Sequence, residues 1–218
     1  MNMKRIICVV ALAVTIAALP ARAQVGVAAH VGTMGLGADV AVSLGPRVAL
    51  RGGANFVPYT PELTADDIDY EFNFPSPQFT ALLDLFLTGG LRLSGGLRIA
   101  PEDLSASGQL SGPEEIGGVI YSPSEVGILT GAIVTQKVSP YFGIGFGNVA
   151  LSRVGFFADL GIALHGSPEV TLTASEGSLA DDPAFQSDLN QEAQSFEDDI
   201  GWYTFYPVLS VGISFALK

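Results

Sequence analysis

Large apolar and small residues alternate along many segments of this chain, and this alternation constrains the fold more than any other feature. In 91–99 the leucines and Ile99 share one face, whereas arginine, serine and glycine residues share the other. A period of two residues is that of a β-strand, whose successive side chains point to opposite faces. The pattern recurs in eight segments, namely 25–32, 34–44, 48–57, 78–88, 91–100, 137–147, 154–165 and 202–217. Each is close to the ~9–11 residues with which a tilted strand crosses a bilayer, so the sequence predicts an all-β protein of eight membrane-spanning strands.

The connections between these segments alternate in length. Short turns near 45–47, 88–90 and 147–153 join strands two to three, four to five and six to seven. Long acidic segments join strands three to four, five to six and seven to eight, and only the first link, at 32–34, is tight on that side. Short turns on one rim and longer loops on the other are typical of bacterial outer-membrane barrels. We therefore expect an up-and-down antiparallel transmembrane β-barrel.

The first 23 residues have the features of a secretory signal peptide. Lys4 and Arg5 precede an apolar run that ends at Leu19, and the small-residue cleavage site 21–23 follows it. The apolar run is shorter than the ~20 residues that a spanning helix needs. We therefore expect a cleaved signal peptide at 1–23 and an outer-membrane β-barrel domain at 24–218.

The charge of the chain excludes one class of partner. The formal net charge is −12, and loss of Lys4, Arg5 and Arg22 with the signal peptide would change it to −15. Because no basic patch is present to neutralise phosphates, nucleic acid is not an expected partner. The only cysteine, Cys8, lies in the signal peptide, so the exported chain is predicted to fold without a disulfide.

Several stretches together carry a likeness to a known group of proteins: VGTMGLGADVAVSL (31–44), RGGANF (51–56), LRLSGGLRI (91–99), YFGIGFGN (141–148), and SLADDPAFQSDLNQE followed by YPVLSVGISF. With these motifs the chain resembles the small outer-membrane β-barrel proteins of Gram-negative bacteria, the OmpA-like group in the broad sense. The resemblance implies a barrel without the periplasmic domain that OmpA itself adds. It also implies outer-membrane lipid and lipopolysaccharide as surroundings, and a barrel-assembly machinery that reads the C-terminal strand. Members of the group commonly end on an aromatic residue, whereas here Phe215 precedes the terminal Lys218 by three residues.

Six charged residues fall on the small-residue face in the middle of strands: Asp39, Arg51, Asp84, Arg92, Arg98 and Asp159. A soluble barrel would place charges outside and large apolar residues inside, whereas a membrane barrel inverts this arrangement. An eight-stranded barrel is only wide enough for side chains to fill, and an unpaired buried ion costs several kcal/mol. We therefore predict a lumen ion-pair network in which the three aspartates pair with the three arginines and plug the barrel. A gated conductance path or proton relay is the alternative use of the same residues.

One histidine invites a catalytic hypothesis. His165 and Ser167 share a strand face, with Glu169 two residues further on, which is conceivable as a base, nucleophile and orienting acid at the rim. A histidine at the start of a loop, followed by a Ser-Pro turn, is more often structural. The sequence therefore predicts no catalytic residue, no enzymatic activity and no cofactor.

The acidic segments raise the question of divalent cations. Asp66, Asp67, Asp69, Asp198 and Asp199 offer the hard oxygen ligands that Ca²⁺ and Mg²⁺ prefer, but no EF-hand spacing accompanies them. We interpret these segments as solvated loops, with no metal site assigned and with divalent cations as a candidate partner.

A single helix is expected at 181–200, in the last long connection. Asp181 or Asp182 can cap it, Pro183 suits its first turn, and an apolar stripe follows at Phe185, Leu189, Ala193, Phe196 and Ile200. The stripe is predicted to pack on the barrel mouth or on neighbouring strands.

The features combined predict an integral outer-membrane barrel with a structural or surface-interaction role. A small passive porin-like channel is the alternative, and a lipid hydrolase at the rim is a third hypothesis.

Overall fold

The computed structural model describes residues 24–58, 62–65, 68–88, 90–101, 103–150 and 153–217, so the predicted signal peptide lies outside the described residues. In chain order the elements are β1 (Val25–Gly32), β2 (Gly35–Gly45), β3 (Val48–Phe56), β4 (Glu62–Ala65), β5 (Ile68–Asn73), β6 (Gln78–Phe86), β7 (Leu91–Ile99), β8 (Leu104–Gln109), β9 (Glu114–Ile116), β10 (Val119–Tyr121), α1 (Pro123–Val126), β11 (Gly127–Val134), β12 (Val138–Phe146), β13 (Gly155–Leu164), β14 (Glu169–Glu176), α2 (Pro183–Ile200) and β15 (Phe205–Leu217).

Eight of these strands form a closed barrel in the order β1-β15-β13-β12-β7-β6-β3-β2. Every neighbouring pair is antiparallel, and β1 pairs with β15 from Val25 opposite Leu217 to Gly32 opposite Ser210. All eight predicted strands are present, each with ends within three residues of the expected ones. The prediction of an eight-stranded, up-and-down barrel is confirmed.

The barrel is apolar outside and polar inside. On β15 the outward Leu209, Ile213 and Phe215 are 53%, 51% and 42% exposed, whereas the inward Ser210 and Ser214 are buried. The other barrel strands show the same inversion, with exposed leucine, valine, isoleucine and phenylalanine on the outer face. A barrel in water would hide such a surface, because contiguous exposed apolar patches are rare on soluble proteins. The alternation therefore fits strands that face lipid.

Three long connections carry a second layer of structure, which we call the rim subdomain and define as residues 62–73, 103–134 and 169–200. Its five-stranded sheet has the order β14-β11-β8-β5-β4, and β9 and β10 form a separate hairpin. The three connections join β3 to β6, β7 to β12 and β13 to β15. Counted along the chain, these are the third and fourth, fifth and sixth, and seventh and eighth strands of the barrel, so all three connections leave the barrel at the same rim. The sequence predicts acidic loops for most of these residues, so the rim sheet is a finding of the structure.

The rim sheet is amphipathic across β8, β11 and β14. On one face, Leu129 lies opposite Gly108 and Ala174, and Ile133 lies opposite Leu104 and Val170. On the other face, Thr130 lies opposite Ser107 and Thr173. Helix α2 covers the apolar face, with its contacts on β14 and β9.

Helix α2 begins as the sequence predicts. The Asp182 carboxylate accepts hydrogen bonds from the backbone N–H groups of Ala184 and Phe185 at 2.9 and 3.1 Å, which satisfies two N–H groups that have no partner within the helix. Phe185 and Leu189 are buried against Ile116, Tyr121 and Val126. The predicted apolar stripe thus packs on neighbouring strands. Within the described residues, no helix combines the length and the hydropathy that a membrane crossing requires.

Replacing Leu189 by alanine should loosen the rim subdomain without opening the barrel. Leu189 is fully buried, and truncating such a leucine costs about 2–5 kcal/mol. Amide hydrogen exchange should therefore accelerate in α2 and β14 while the barrel strands keep their protection. Phe196→Ala, on the same stripe but half exposed, is the matched control and should have a smaller effect. Equal acceleration in barrel and rim would contradict the separation of the two layers.

Candidate functional site

Five of the six predicted lumen residues meet inside the barrel: Asp39 on β2, Arg51 on β3, Asp84 on β6, Arg92 on β7 and Asp159 on β13. We call this group the charge layer. Each side chain is at least 96% buried. The alternation of side chains along each strand places them on the inner face of the barrel. Their positions along the strands place them at the same height along the barrel axis.

Arg51 is the centre of the charge layer. Its Nε donates to Asp84 Oδ2 at 2.9 Å and its Nη2 to Asp84 Oδ1 at 3.2 Å, which is a bidentate pair. Its Nη1 and Nη2 donate to the two carboxylate oxygens of Asp159 at 2.9 and 3.3 Å, and Nη1 also reaches Asp39 Oδ2 at 3.3 Å. The planar guanidinium allows this multiple pairing, which an ammonium group could not reproduce.

The pair of Arg51 and Asp159 crosses the full width of the lumen. In the order of the closed barrel, β3 and β13 are four strands apart in either direction, so they form opposite walls. The 2.9 Å contact between their side chains therefore spans the lumen from one wall to the other. The ion pair acts as a strut across the barrel.

Arg92 extends the charge layer toward the short-turn rim. Its Nη2 donates to Asp159 Oδ1 at 2.7 Å, and its Nη1 donates to the carbonyl oxygens of Phe146, at 3.0 Å, and Gly147. Its guanidinium also lies 5.8 Å from the ring centroid of Phe157. Arg92 thus ties Asp159 to the turn that follows β12.

Glycines provide the space that the charged side chains occupy. Gly53 is the cross-strand partner of Asp39, and Gly145 is the partner of both Arg92 and Asp159. A Cβ atom at Gly145 would lie 2.5 Å from Asp159 Oδ1 and 2.9 Å from the Arg92 guanidinium carbon. The ion pairs can therefore form only if the neighbouring inward positions, Gly53 and Gly145, carry no side chain.

Apolar side chains cluster in the lumen on both sides of the charge layer. Toward the short turns lies a cluster of Ala28, Ala41, Val149, Ala150 and Phe157. Toward the long connections lies a cluster of Met34, Leu82, Tyr141, Ala163 and Val208. Along β13, Phe157, Asp159 and Ala163 follow one another through the three levels. Apolar layers on either side lower the access of water to the ion pairs, which strengthens their electrostatic attraction.

Arg98 differs from the prediction, because it does not join the charge layer. Its Nε and Nη2 donate to Gln78 Oε1 at 2.9 and 2.6 Å, and its guanidinium lies 4.5 Å from the Tyr206 ring centroid. Arg98 is six residues beyond Arg92 on the same strand, which corresponds to ~20 Å at the usual rise. The alternation placed it on the correct face but gave no information about its level along the barrel.

His30 is a neighbour of the charge layer that is not among the six predicted lumen residues. Its Nε2 lies 3.5 Å from Asp39 Oδ1, and its side chain is 5% exposed. With Asn55 and Thr80 it borders a cavity of about 20 Å³, next to Asp39 and Arg51. A space of this size is about that of one water molecule. The alternation of β1 could have revealed His30, since Ala28 and His30 share the inward parity.

The catalytic hypothesis for His165 finds no supporting geometry. His165 is buried just past the end of β13, its Nδ1 is 3.0 Å from the Gly166 carbonyl oxygen, and its ring lies 5.0 Å from that of Tyr203. Burial holds the pKa of His165 below its usual value. Ser167 is exposed, and the contacts of His165 are those of a packed side chain rather than of a base paired with a nucleophile.

The candidate cation ligands do not converge among the described residues. Within those residues, no three or more His, Cys, Asp or Glu side chains are grouped in a way that could hold a metal ion. Asp66 and Asp67 lie outside the described residues, and Asp198 and Asp199 are exposed near the end of α2.

Comparison with known proteins identifies a shared fold. No protein-family model matches the sequence, and no curated protein matches it. Among solved structures, CarO of Acinetobacter baumannii is similar with a TM-score of 0.57 and 20% identity, over 88% of this chain and 97% of CarO. CarO2 of the same organism gives a TM-score of 0.58 and 21% identity, over 89% of this chain and 98% of that one. The chain shares the fold of CarO. At these identities the likeness to CarO and CarO2 concerns the fold alone.

Gly53→Ala should destabilise the barrel by crowding the charge layer. A Cβ atom at Gly53 would overlap Asp39 Oδ1 and lie 2.6 Å from Thr80 Oγ1, and overpacking of this kind costs about 1–3 kcal/mol. The melting temperature in detergent should fall. Gly52→Ala is the matched control, because its Cβ would face outward with Thr80 O as the nearest atom at 3.9 Å. Equal melting temperatures for the two variants would contradict the tight packing described here.

Proposed function

We propose that this protein is an integral protein of the bacterial outer membrane whose barrel is closed and serves as a rigid support for the rim subdomain. In this role the barrel spans the membrane, and the rim subdomain supplies the surface for interactions outside it. Support comes from the lipid-compatible outer face, the antiparallel closure and the predicted signal peptide. Membership of the OmpA-like group, and contacts with lipopolysaccharide and the barrel-assembly machinery, remain predictions from the sequence.

The contact between Arg51 and Asp159 carries the proposal of a closed lumen. It joins opposite walls at 2.9 Å, with apolar layers on both sides. An ion that crossed the barrel would have to break these buried pairs, and breaking one by removal of a partner costs ~3–5 kcal/mol. A passive channel would instead need a continuous wet path past all three layers.

Cell fractionation tests the proposed location. The full-length chain, expressed with residues 1–23 in a Gram-negative host, should be recovered in the outer-membrane fraction without those residues. Its electrophoretic mobility should differ between unheated and boiled samples, because a closed barrel resists detergent until heated. A deletion of residues 1–23 is the control and should stay in the cytoplasm. Recovery of the exported chain as a soluble periplasmic protein would overturn the proposal.

Planar-bilayer conductance tests the closed lumen. The unchanged protein should give no steady conductance, whereas Arg51→Ala should lower the melting temperature and give a small cation-selective leak. The reason is that Asp39, Asp84 and Asp159 would keep only Arg92 as a cationic partner in the charge layer. Arg47→Ala, in an exposed turn, is the matched control and should leave both measurements unchanged. Steady conductance of the unchanged protein would favour the porin-like alternative.

A further inference from the structure

The rim subdomain contains an unfilled cavity of about 480 Å³, well outside the barrel lumen. It lies between the apolar face of the rim sheet, strand β9 and the C-terminal half of α2. Leu104, Leu129, Ile133 and Leu172 are among the apolar residues that line it. Its volume is within the ~300–1,000 Å³ typical of pockets for small molecules.

Two adjacent small residues create this cavity. Gly131 on β11 pairs with Ala106 on β8 and with Leu172 on β14. The middle of the apolar face therefore lacks bulky side chains at the pair of Gly131 and Ala106. Leu129 and Ile133 flank Gly131 on the same face of β11. Helix α2 does not fill the depression, because its buried Phe185 and Leu189 pack at the other half of the helix.

The mouth of the cavity carries carboxylates. Glu114, Glu115 and Glu192 line it, together with the half-exposed Phe196. Glu114 and Glu115 are exposed, so the cavity opens to solvent on their side. Glu192 Oε2 accepts a hydrogen bond from the Gly117 N–H at 3.1 Å, which fixes this side chain against the turn that follows β9.

The charged residues in the sequence of the rim subdomain have one sign. The segments of the rim subdomain contain five acidic residues in 62–73, four in 103–134 and nine in 169–200, and none of these segments contains a Lys or Arg. The negative potential of such a surface attracts cations and repels anions, including the phosphate groups of lipids.

We propose that this cavity binds a small organic cation with an apolar body. The apolar body would lie over Ala106 and Gly131, and the ammonium group would lie near the carboxylates of Glu114 and Glu192, since Glu114 shares the inward face of β9 with Ile116. Burial of the body supplies affinity, and the carboxylates select the charge. The inference goes beyond the proposed function, because the cavity would bind its ligand whether or not the lumen conducts ions.

Binding of three isosteric probes to the full-length protein in lipid nanodiscs tests the proposal. The probes are 4-phenylbutylamine, 4-phenylbutan-1-ol and 4-phenylbutyrate, measured by calorimetry and corrected against empty nanodiscs. The amine should bind, the alcohol should bind roughly tenfold more weakly, and the carboxylate should not bind. Equal binding of the three probes would indicate a site for neutral apolar molecules and would overturn the charge selection. Failure of all three to bind to folded protein would overturn the site.

Two variants of cavity residues and one control variant test whether the probes bind in this cavity. Glu192→Gln keeps an acceptor for the Gly117 N–H and removes only the charge, so it should weaken the amine roughly two- to fivefold and leave the alcohol unchanged. Asp199→Asn, an exposed acid of the same helix that does not line the cavity, is the matched control and should change neither. Ala106→Leu should fill the cavity and abolish binding of both amine and alcohol. Unchanged binding of the amine to both Glu192→Gln and Ala106→Leu would place the ligand elsewhere and overturn the proposal.

Discussion

The guanidinium of Arg51 is the group on which the interior of this barrel depends. It pairs with carboxylates from three strands, β2, β6 and β13, and one of them stands on the opposite wall. Each of these charges would be costly to bury alone, so the position of every member constrains the others. The glycines at Gly53 and Gly145, the hydroxyl of Ser94 that donates to Asp84 at 2.6 Å, and the apolar layers on either side all serve this one arrangement.

The barrel and the rim subdomain differ in where their apolar side chains lie. In the barrel the large apolar side chains point outward and the polar ones inward, so the outer face suits lipid rather than water. In the rim subdomain Ile116, Tyr121 and Val126 pack against Phe185 and Leu189 of α2 in a buried apolar cluster, as in a protein that folds in water. The change occurs where the three long connections leave the barrel strands.

Much of the barrel could be read from the sequence, because a period of two residues over about ten positions is a strong local signal. The same alternation predicts that the charged side chains, including that of Arg98, point into the barrel. It does not predict how far along the barrel axis each side chain lies. Arg98 was therefore assigned to the wrong neighbours. Strands β8 and β11 gave little signal, since LSASGQ and GILTGAIV contain small residues on both faces and become strands through pairing with distant segments. Helix α2 was predictable because its cap, its proline and its stripe are all local.

The rim sheet draws its strands from three separate connections. Strand β5 of the first pairs with β8 of the second, and β11 of the second pairs with β14 of the third. Such pairings join segments that are far apart along the chain, so the rim sheet needs all three connections to be held together at one rim of the barrel. An antibody that recognises residues from β5, β8 and β14 at once would consequently distinguish a completely assembled molecule from a chain that is merely inserted. The rim sheet therefore reports that the barrel strands which carry the three connections are in place.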